Sequence, residues 1–510
     1  MNFNSWQFLL FFPVVTVLYW VLEARGHSAS LATLVKQAFL LMVSLFFYAC
    51  WNPAYLALIV FSVLITWVSG CCMEGKALRY KRLILAGSLT LNLAVLFFFK
   101  YYNFFADSLS LVSGGAVLPS FNVLLPVGIS FYTFQALGYS IDVYRGTVQA
   151  ERNLITYALF VTFFPQLVAG PIERTGNLLP QFKADHGFDY DRVTSGLKLA
   201  AWGMFKKIVV ADRVALYVNA VYGEPTVYPA ASLALATFFF AFQIYCDFSG
   251  YSDIAMGCAR VLGFKLMSNF RQPYFAHSIA DFWRRWHISL SSWLRDYIYI
   301  PLGGNRRGIP RQAFNLLITF LLSGLWHGAA WHFVAWGALH GVFQLAGRAT
   351  NGVRSRIWRT LGIANSLLIR AVAVCVTFAL VCVAWVFFRA NTIGDALLIC
   401  TKFVMLPAEL ASYVHQLPQT GVLETVRAAF QLGNNVAHPI KSFGISACGF
   451  SFMAIAVLLF SDWRTRTMPD MALITRKPPM VLRWASYYTL VLVVLLSWGM
   501  DSSEFIYFMF

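Results

Sequence analysis

A chain of 510 residues that is 59% hydrophobic and only 12% charged departs from soluble globular composition, in which about a quarter of residues are charged. Its apolar residues run without alternation over stretches able to cross a hydrocarbon core of about 30 Å, which excludes a β-barrel and predicts an all-α polytopic membrane protein. The formal net charge of +17 does not point to nucleic acid, because Lys and Arg fall in short connectors between apolar runs, where they set membrane orientation.

The N-terminus, Met1-Asn2-Phe3-Asn4-Ser5-Trp6, carries no basic region and no clear small-residue cleavage site follows, so the first apolar run, 6–22, reads as a retained helix. Spans follow at 37–50 and 55–71, separated by Trp51-Asn52-Pro53. Lys76, Arg79, Lys81 and Arg82 then mark a cytoplasmic loop, which puts Met1 outside, and a span at 83–99 returns outward. Two apolar segments after it are broken: 124–135 by Pro126 and Gly128, and 163–172 by Pro165, Gly170 and Pro171. They read either as re-entrant or tilted pieces lining a central cavity, where broken backbone is tolerated at depth, or as Pro-kinked helices. Residues 196–210, with Lys198, Lys206 and Lys207, suit an interfacial helix with snorkelling lysines. A span at 230–245 ends in Cys246-Asp247-Phe248-Ser249-Gly250-Tyr251-Ser252-Asp253, whose two aspartates suit pairing with arginines of the stretch 283–295.

Residues 274–340 form a polar island in this apolar chain, holding Asp281-Phe282-Trp283-Arg284-Arg285-Trp286-His287, then Pro301-Leu302-Gly303-Gly304-Asn305-Arg306-Arg307, and Leu325-Trp326-His327-Gly328. Spans are expected at 314–326, 330–345 and 367–388, with the basic loop 348–370 cytoplasmic. The short apolar piece 396–406, carrying Lys402, reads as lying at the outer interface, with 407–439 outside. Spans at 443–460 and 484–500, joined by a basic cytoplasmic connector, carry residues 501–510 to the outer side. The total is roughly ten to twelve transmembrane helices, re-entrant pieces included. The nine cysteines include no C-x-x-C pair and most lie in apolar segments, as small hydrophobes do.

An ionisable residue inside a span is costly and marks a candidate site. His327, among Ser323, Gly324 and Gly328, suits two roles: a neutral imidazole that takes a proton from a hydroxyl, or a histidine hydrogen-bonded in the bundle interior. His287 sits in a polar, aromatic segment and, taken alone, reads as a satisfied interfacial histidine. Arg284, Arg285 and Arg295 fit either the phosphates of a nucleotide-containing donor or lipid headgroups and carboxylates. His332 reads as a packing residue, and His340 has no assigned role. His327 and His332 lack the i, i+4 spacing and intervening Glu of a zinc helix, and no P-loop or G-x-S-x-G elbow is present, so neither a metal site nor nucleotide-driven transport is indicated.

The chain resembles the membrane-bound O-acyltransferases, and within them the alginate O-acetyltransferase branch. The resemblance is carried by Pro126-Val127-Gly128-Ile129-Ser130-Phe131-Tyr132-Thr133-Phe134-Gln135, Ile141-Asp142-Val143-Tyr144-Arg145-Gly146, Tyr245 to Asp253, Asp281 to Arg307, Trp326-His327-Gly328-Ala329 and Trp385-Val386-Phe387-Phe388-Arg389-Ala390. It implies one membrane-embedded domain, with N-terminal helices in 1–110, a catalytic core in 120–400 and C-terminal helices in 440–510, as a ring of helices around a funnel or tunnel. It implies catalytic histidines at His327 and His287, and no bound cofactor. The acetyl group would come from a cytoplasmic donor, acetyl-CoA, whose phosphates would meet Arg284, Arg285, Arg306 or Arg307. It would cross the bacterial inner membrane to an exported polysaccharide such as alginate, a periplasmic acetyltransferase partner completing the transfer. The terminal Phe505-Ile506-Tyr507-Phe508-Met509-Phe510 resembles an aromatic motif of acyl-export systems that usually ends Phe-Gln-Phe; here Met509 replaces the glutamine. Tyr507 would then be an acyl relay, or an aromatic anchor at the interface. Two other readings remain open at this point: a transporter or flippase of a lipid-linked acyl or glycan without bond chemistry, and acylation of peptidoglycan, teichoic acid or cellulose.

Overall fold

A computed structural model describes residues 1–23, 29–113, 118–168, 170–362, 366–433, 436, 438, 440, 443–465, 479–499 and 505–506. The described residues form helices and connecting turns, with no strand among them. Eight helical stretches among them are long and apolar enough to cross a membrane. The run beginning at Trp6 is a shorter apolar helix. The chain divides into two compact units, Met1–Gly203 with Tyr251–Asn269, and Met204–Gly250 with Phe270–Phe510.

The first unit opens with α1 (Trp6–Glu23), α2 (Ala29–Ala49), α3 (Leu56–Met73), α4 (Leu78–Leu96) and α5 (Tyr102–Ser113). Apolar surface gives little preference for one helix partner over lipid, so hydrogen bonds between helices fix the pairing. Ser62 of α3 donates to Asn92 of α4 at 2.6 Å. The two broken segments become α6 (Ile129–Arg145), α7 (Leu154–Thr162) and α8 (Phe164–Leu167). Pro126 precedes α6 and does not kink it; Gly128, at φ 74°, starts the helix where a Cβ would meet the Leu167 carbonyl oxygen at 2.8 Å. The break after Thr162 frees a backbone carbonyl in a buried place, and protein groups satisfy it: the side chains of Gln135 and Gln166 donate to the Phe160 carbonyl at 2.5 and 2.8 Å. Ser44 accepts the Phe164 N–H at 3.0 Å. These are buried, interrupted helices, as broken backbone at membrane depth requires. Helices α9 (Thr175–Lys183) and α10 (Tyr190–Met204) complete this part.

The second unit begins as α10 passes into a π-helical turn, Phe205–Ala211, followed by α11 (Asp212–Gly223). The expected snorkelling does not occur at Lys206 and Lys207, which are buried. The reason is a partner inside: the Lys207 ammonium lies 2.9 Å from Asp212 and 2.7 Å from Asp247, while Lys206 sits 5.7 Å over the Tyr245 ring. Asp247 therefore pairs with a lysine and not with the arginines of 283–295. Two of those arginines have acids of their own nearby, Arg285 with Asp281 at 3.0 Å and Arg295 with Asp296 at 2.7 Å. The span expected at 230–245 is the first half of a longer helix, α12 (Ala230–Val261), so Asp247 lies inside a helix and not beyond its end.

Two short helices follow, α13 (Ile279–Arg285) and α14 (Ile288–Leu294), then α15 (Gly308–His327), α16 (Trp331–Thr360), α17 (Leu367–Arg389), α18 (Ile393–Phe430), α19 (Ile445–Thr465) and α20 (Met480–Ser497). The piece expected to stop at 406 continues through Pro407 and Pro418 as a 38-residue helix, kinked at Gly421 where the backbone is non-helical. Proline at these positions bends or interrupts a helix without ending it when its surroundings hold both arms.

Candidate active site

The site is set by the packing of α15 on α16. A Cβ on Gly324 would overlap the Phe333 carbonyl, and one on Gly337 would overlap that of Phe320. Only glycine allows this approach. It leaves His327, the last residue of α15, facing into α16 before Gly328 takes the chain on in extended conformation. The His327 ring lies with its centroid 5.0 Å from that of Trp326, 5.0 Å from Trp336 and 5.3 Å from Phe388 of α17.

His287 reaches the same place from another direction. Ser278 caps α13 through the Asp281 N–H, Trp286 is extended, and His287 caps α14 with φ 43° and ψ 53°. Left-handed backbone is uncommon outside glycine, though histidine adopts it more readily than most residues, and among the described residues Gln272 and Gln431 share it. The His287 ring meets Phe248 of α12 at 4.6 Å, Trp326 at 5.7 Å and His327 at 6.1 Å, centroid to centroid. His287 is 0% exposed and His327 2%. His287 sits on the turn between two short helices, outside the eight candidate spans, and burial pushes its imidazolium down to about 3. It is thus neutral near pH 7 and a weak base there, because burial disfavours its cation.

The remaining histidines of the polar island separate from this pair. Trp283 donates its indole N–H to His340 Nδ1 at 3.2 Å, and His332 Nδ1 donates to the Phe387 carbonyl at 3.0 Å. Both are packing histidines. Arg284 is exposed and reaches back to the Ala280 carbonyl at 3.4 Å. Arg285 is partly exposed, and Arg306 and Arg307 are exposed on the connection into α15. The structure thus brings His287 and His327 together in a buried aromatic setting and leaves the four arginines at the surface. Tyr507 and Met509 lie outside the described residues.

Residue-by-residue reading missed three contributors. Trp336 was one apolar residue in a span, yet it packs on His327. Ser323 is buried one turn before His327, with no hydrogen-bond partner for its hydroxyl among the described residues. The Lys207–Asp212–Asp247 cluster is the third. Its signal was present, since two acids and a lysine pair in otherwise apolar helices must find one another, but the pairing crosses 40 residues of sequence.

The chain belongs to the membrane-bound O-acyltransferase family, a class of membrane-embedded acyltransferases. The family model matches residues 150–388. The protein named "Probable alginate O-acetylase AlgI" in Pseudomonas putida is 41% identical over 406 residues, covering 78% of this chain and 79% of its own. A peptidoglycan O-acetyltransferase of Helicobacter pylori is 36% identical over 432 residues, covering 79% and 80%. A teichoic acid D-alanyltransferase of Bacillus subtilis is 27% identical over 293 residues, covering 54% and 71%. The protein is a multi-pass acyltransferase of the bacterial inner membrane.

Proposed function

We propose that this acyltransferase takes an acetyl group from a cytoplasmic donor, acetyl-CoA, and passes it across the inner membrane for O-acetylation of an exported polysaccharide such as alginate. A periplasmic acetyltransferase partner completes the transfer. The catalytic core, within 120–400, is a ring of helices around a tunnel in which donor and acceptor meet. The observation that carries this reading is the buried histidine pair, with rings 6.1 Å apart, in a chain similar to named O-acetyltransferases. A buried imidazole pair suits the proton transfers that O-acylation needs, from an acceptor hydroxyl and to a leaving thiolate.

In the proposed reaction His327 takes the proton of an acceptor hydroxyl as its oxygen bonds to the acetyl carbon. The thioester C–S bond breaks, and the proton passes to the departing thiolate, leaving an O-acetyl ester and free thiol. His287 orients the acceptor or stabilises the cation formed on His327. Arg284, Arg285, Arg306 and Arg307 present guanidinium forks for donor phosphates. Tyr507 is the relay hydroxyl that carries acetyl to the partner. The test is polymer O-acetylation in cells making normal amounts of His327→Ala protein. Loss of roughly 100- to 10,000-fold is expected for a general base; unchanged acetylation overturns the assignment. Labelled acetyl-CoA with the purified protein should yield free CoA or labelled protein, and neither product would appear from a transporter.

A further inference from the structure

The buried cluster Lys207–Asp212–Asp247 is not used by the chemistry above, and its contacts reach the end of the chain. Asp247 spends its two carboxylate oxygens on different partners. Oδ1 lies 2.7 Å from the Lys207 ammonium, and Oδ2 accepts the backbone N–H of Ile506 at 2.7 Å. All three side chains of the cluster are buried, as are Phe505 and Ile506. The residue after Asp247, Phe248, touches both sides of the problem. Its ring is 4.6 Å from His287 and 6.1 Å from Phe505.

We propose that Asp247, held by Lys207, is a positioning residue that anchors the C-terminal segment beside the histidine pair. Two consecutive residues of one helix thereby fix the backbone of Ile506 and the ring of His287 in a common frame. A buried ion pair is weak support for stability, because apolar side chains of the same volume do as well; its attested use is to fix register. Here the register fixed is that of Phe505 and Ile506 against α12. A charge-assisted bond from carboxylate to backbone N–H is among the stronger hydrogen bonds, and it is directional. The anchor fixes the position of Ile506, and the relay role proposed for its neighbour in sequence, Tyr507, depends on that position. The consequence for transfer rests on the function proposed above; the anchor itself does not.

Two variants test this. Asp247→Asn keeps the shape and leaves Lys207 paired with Asp212, so the fold should survive. Purified wild-type and Asp247→Asn proteins are digested with carboxypeptidase, and loss of residues 505–510 is followed by intact mass. Faster trimming of Asp247→Asn is expected; equal rates in folded protein overturn the anchor. Ile506→Pro removes the donated N–H, and Ile506→Ala, which keeps the N–H, controls for the lost side chain and should trim like wild type. Polymer O-acetylation should fall by roughly 10- to 100-fold in Asp247→Asn and in Ile506→Pro, the range of one charge-assisted hydrogen bond. The double variant should be no worse than the poorer single, because both act through one bond; additive losses overturn the proposal. Failure of the catalytic reading is separate: His327→Ala that acetylates normally refutes that reading, while the trimming result stands or falls alone.

Discussion

Helices α12 and α18 are similar in kind and opposite in use. Both exceed thirty residues and both qualify as membrane spans on composition, yet 89% of the most apolar window of α12 is buried in the protein against 6% for α18. The polar residues make the difference. Those of α12 point inward to protein partners, as Asp247 does to Lys207 and Ile506. The α18 helix exposes Val404, Met405 and Val414; Tyr217 and Ser232 bond the carbonyls of its last turn, and two of its own side chains fasten it further back. Lys402 donates to the carbonyls of Pro225, Thr226 and Tyr228 at 2.7 to 2.9 Å. Glu409 accepts the N–H groups of Ala230 and Ala231 at 2.9 and 3.1 Å, at the first turn of α12. In a membrane, hydropathy says that a helix can leave water, and its polar residues say whether it faces lipid or protein.

The largest effect should come from breaking the inward-facing charges. Lys207→Met leaves Asp212 and Asp247 buried without their cation, and should cost about 3–5 kcal/mol, read as a fall in thermal unfolding temperature in detergent. A loss within the scatter of surface variants would show that water reaches this cluster.

A second buried carboxyl sharpens the point, because its hydrogen bonds come from neutral donors and the Arg174 charge only partly offsets its burial. Glu173 accepts from the Asn177 side chain at 2.7 Å and from the Met267 N–H at 2.5 Å. Burial pushes its carboxyl up, past the opposing pull of those hydrogen bonds, to about 7 from an ordinary 4.5. The folded state therefore holds a proton that the unfolded chain releases. Stability from this group is full below about pH 4.5 and declines as pH rises to about 7, by about 3 kcal/mol in all. Unfolding measured between pH 5 and 8 should show that decline, and Glu173→Gln should flatten it. A Glu173→Gln protein with the wild-type slope would refute the assignment.

On α18 the effects should be smaller and local. Glu409→Ala removes an acceptor at the start of α12 and should cost about 1 kcal/mol, as loss of a helix cap does, with amide exchange at Ala230 and Ala231 rising first. Met405→Leu, on the exposed face, should change stability by less than about 0.5 kcal/mol. A large effect there would mean that the face is covered by protein.

Much of the site was legible as residues and little of it as geometry. His327 stood out because a histidine among small residues in an apolar run needs a reason. His287 gained weight only through a family resemblance, since nothing local distinguishes it from a satisfied interfacial histidine. That the two meet depends on Gly324 and Gly337 letting α15 and α16 touch, and on the left-handed turn at His287. The lysines at 206 and 207 misled for a related reason. A lysine near an apolar run snorkels when water is its best partner, and the acids that outbid water were 5 and 40 residues away.

The sequence by itself determined the class. Long apolar runs, basic connectors and ordered motif strings require a polytopic helical membrane protein, because backbone groups in hydrocarbon must bond within their own segment. It also singled out His327 as a candidate, because an ionisable residue in an apolar run is costly. Only the tertiary structure decided which side chains meet. Helix faces in a bilayer are chosen by close packing and by the partners of a few buried polar groups, and those partners lie far apart along the chain. His287 with His327, Lys207 with Asp247, and Asp247 with Ile506 are all pairings of that kind.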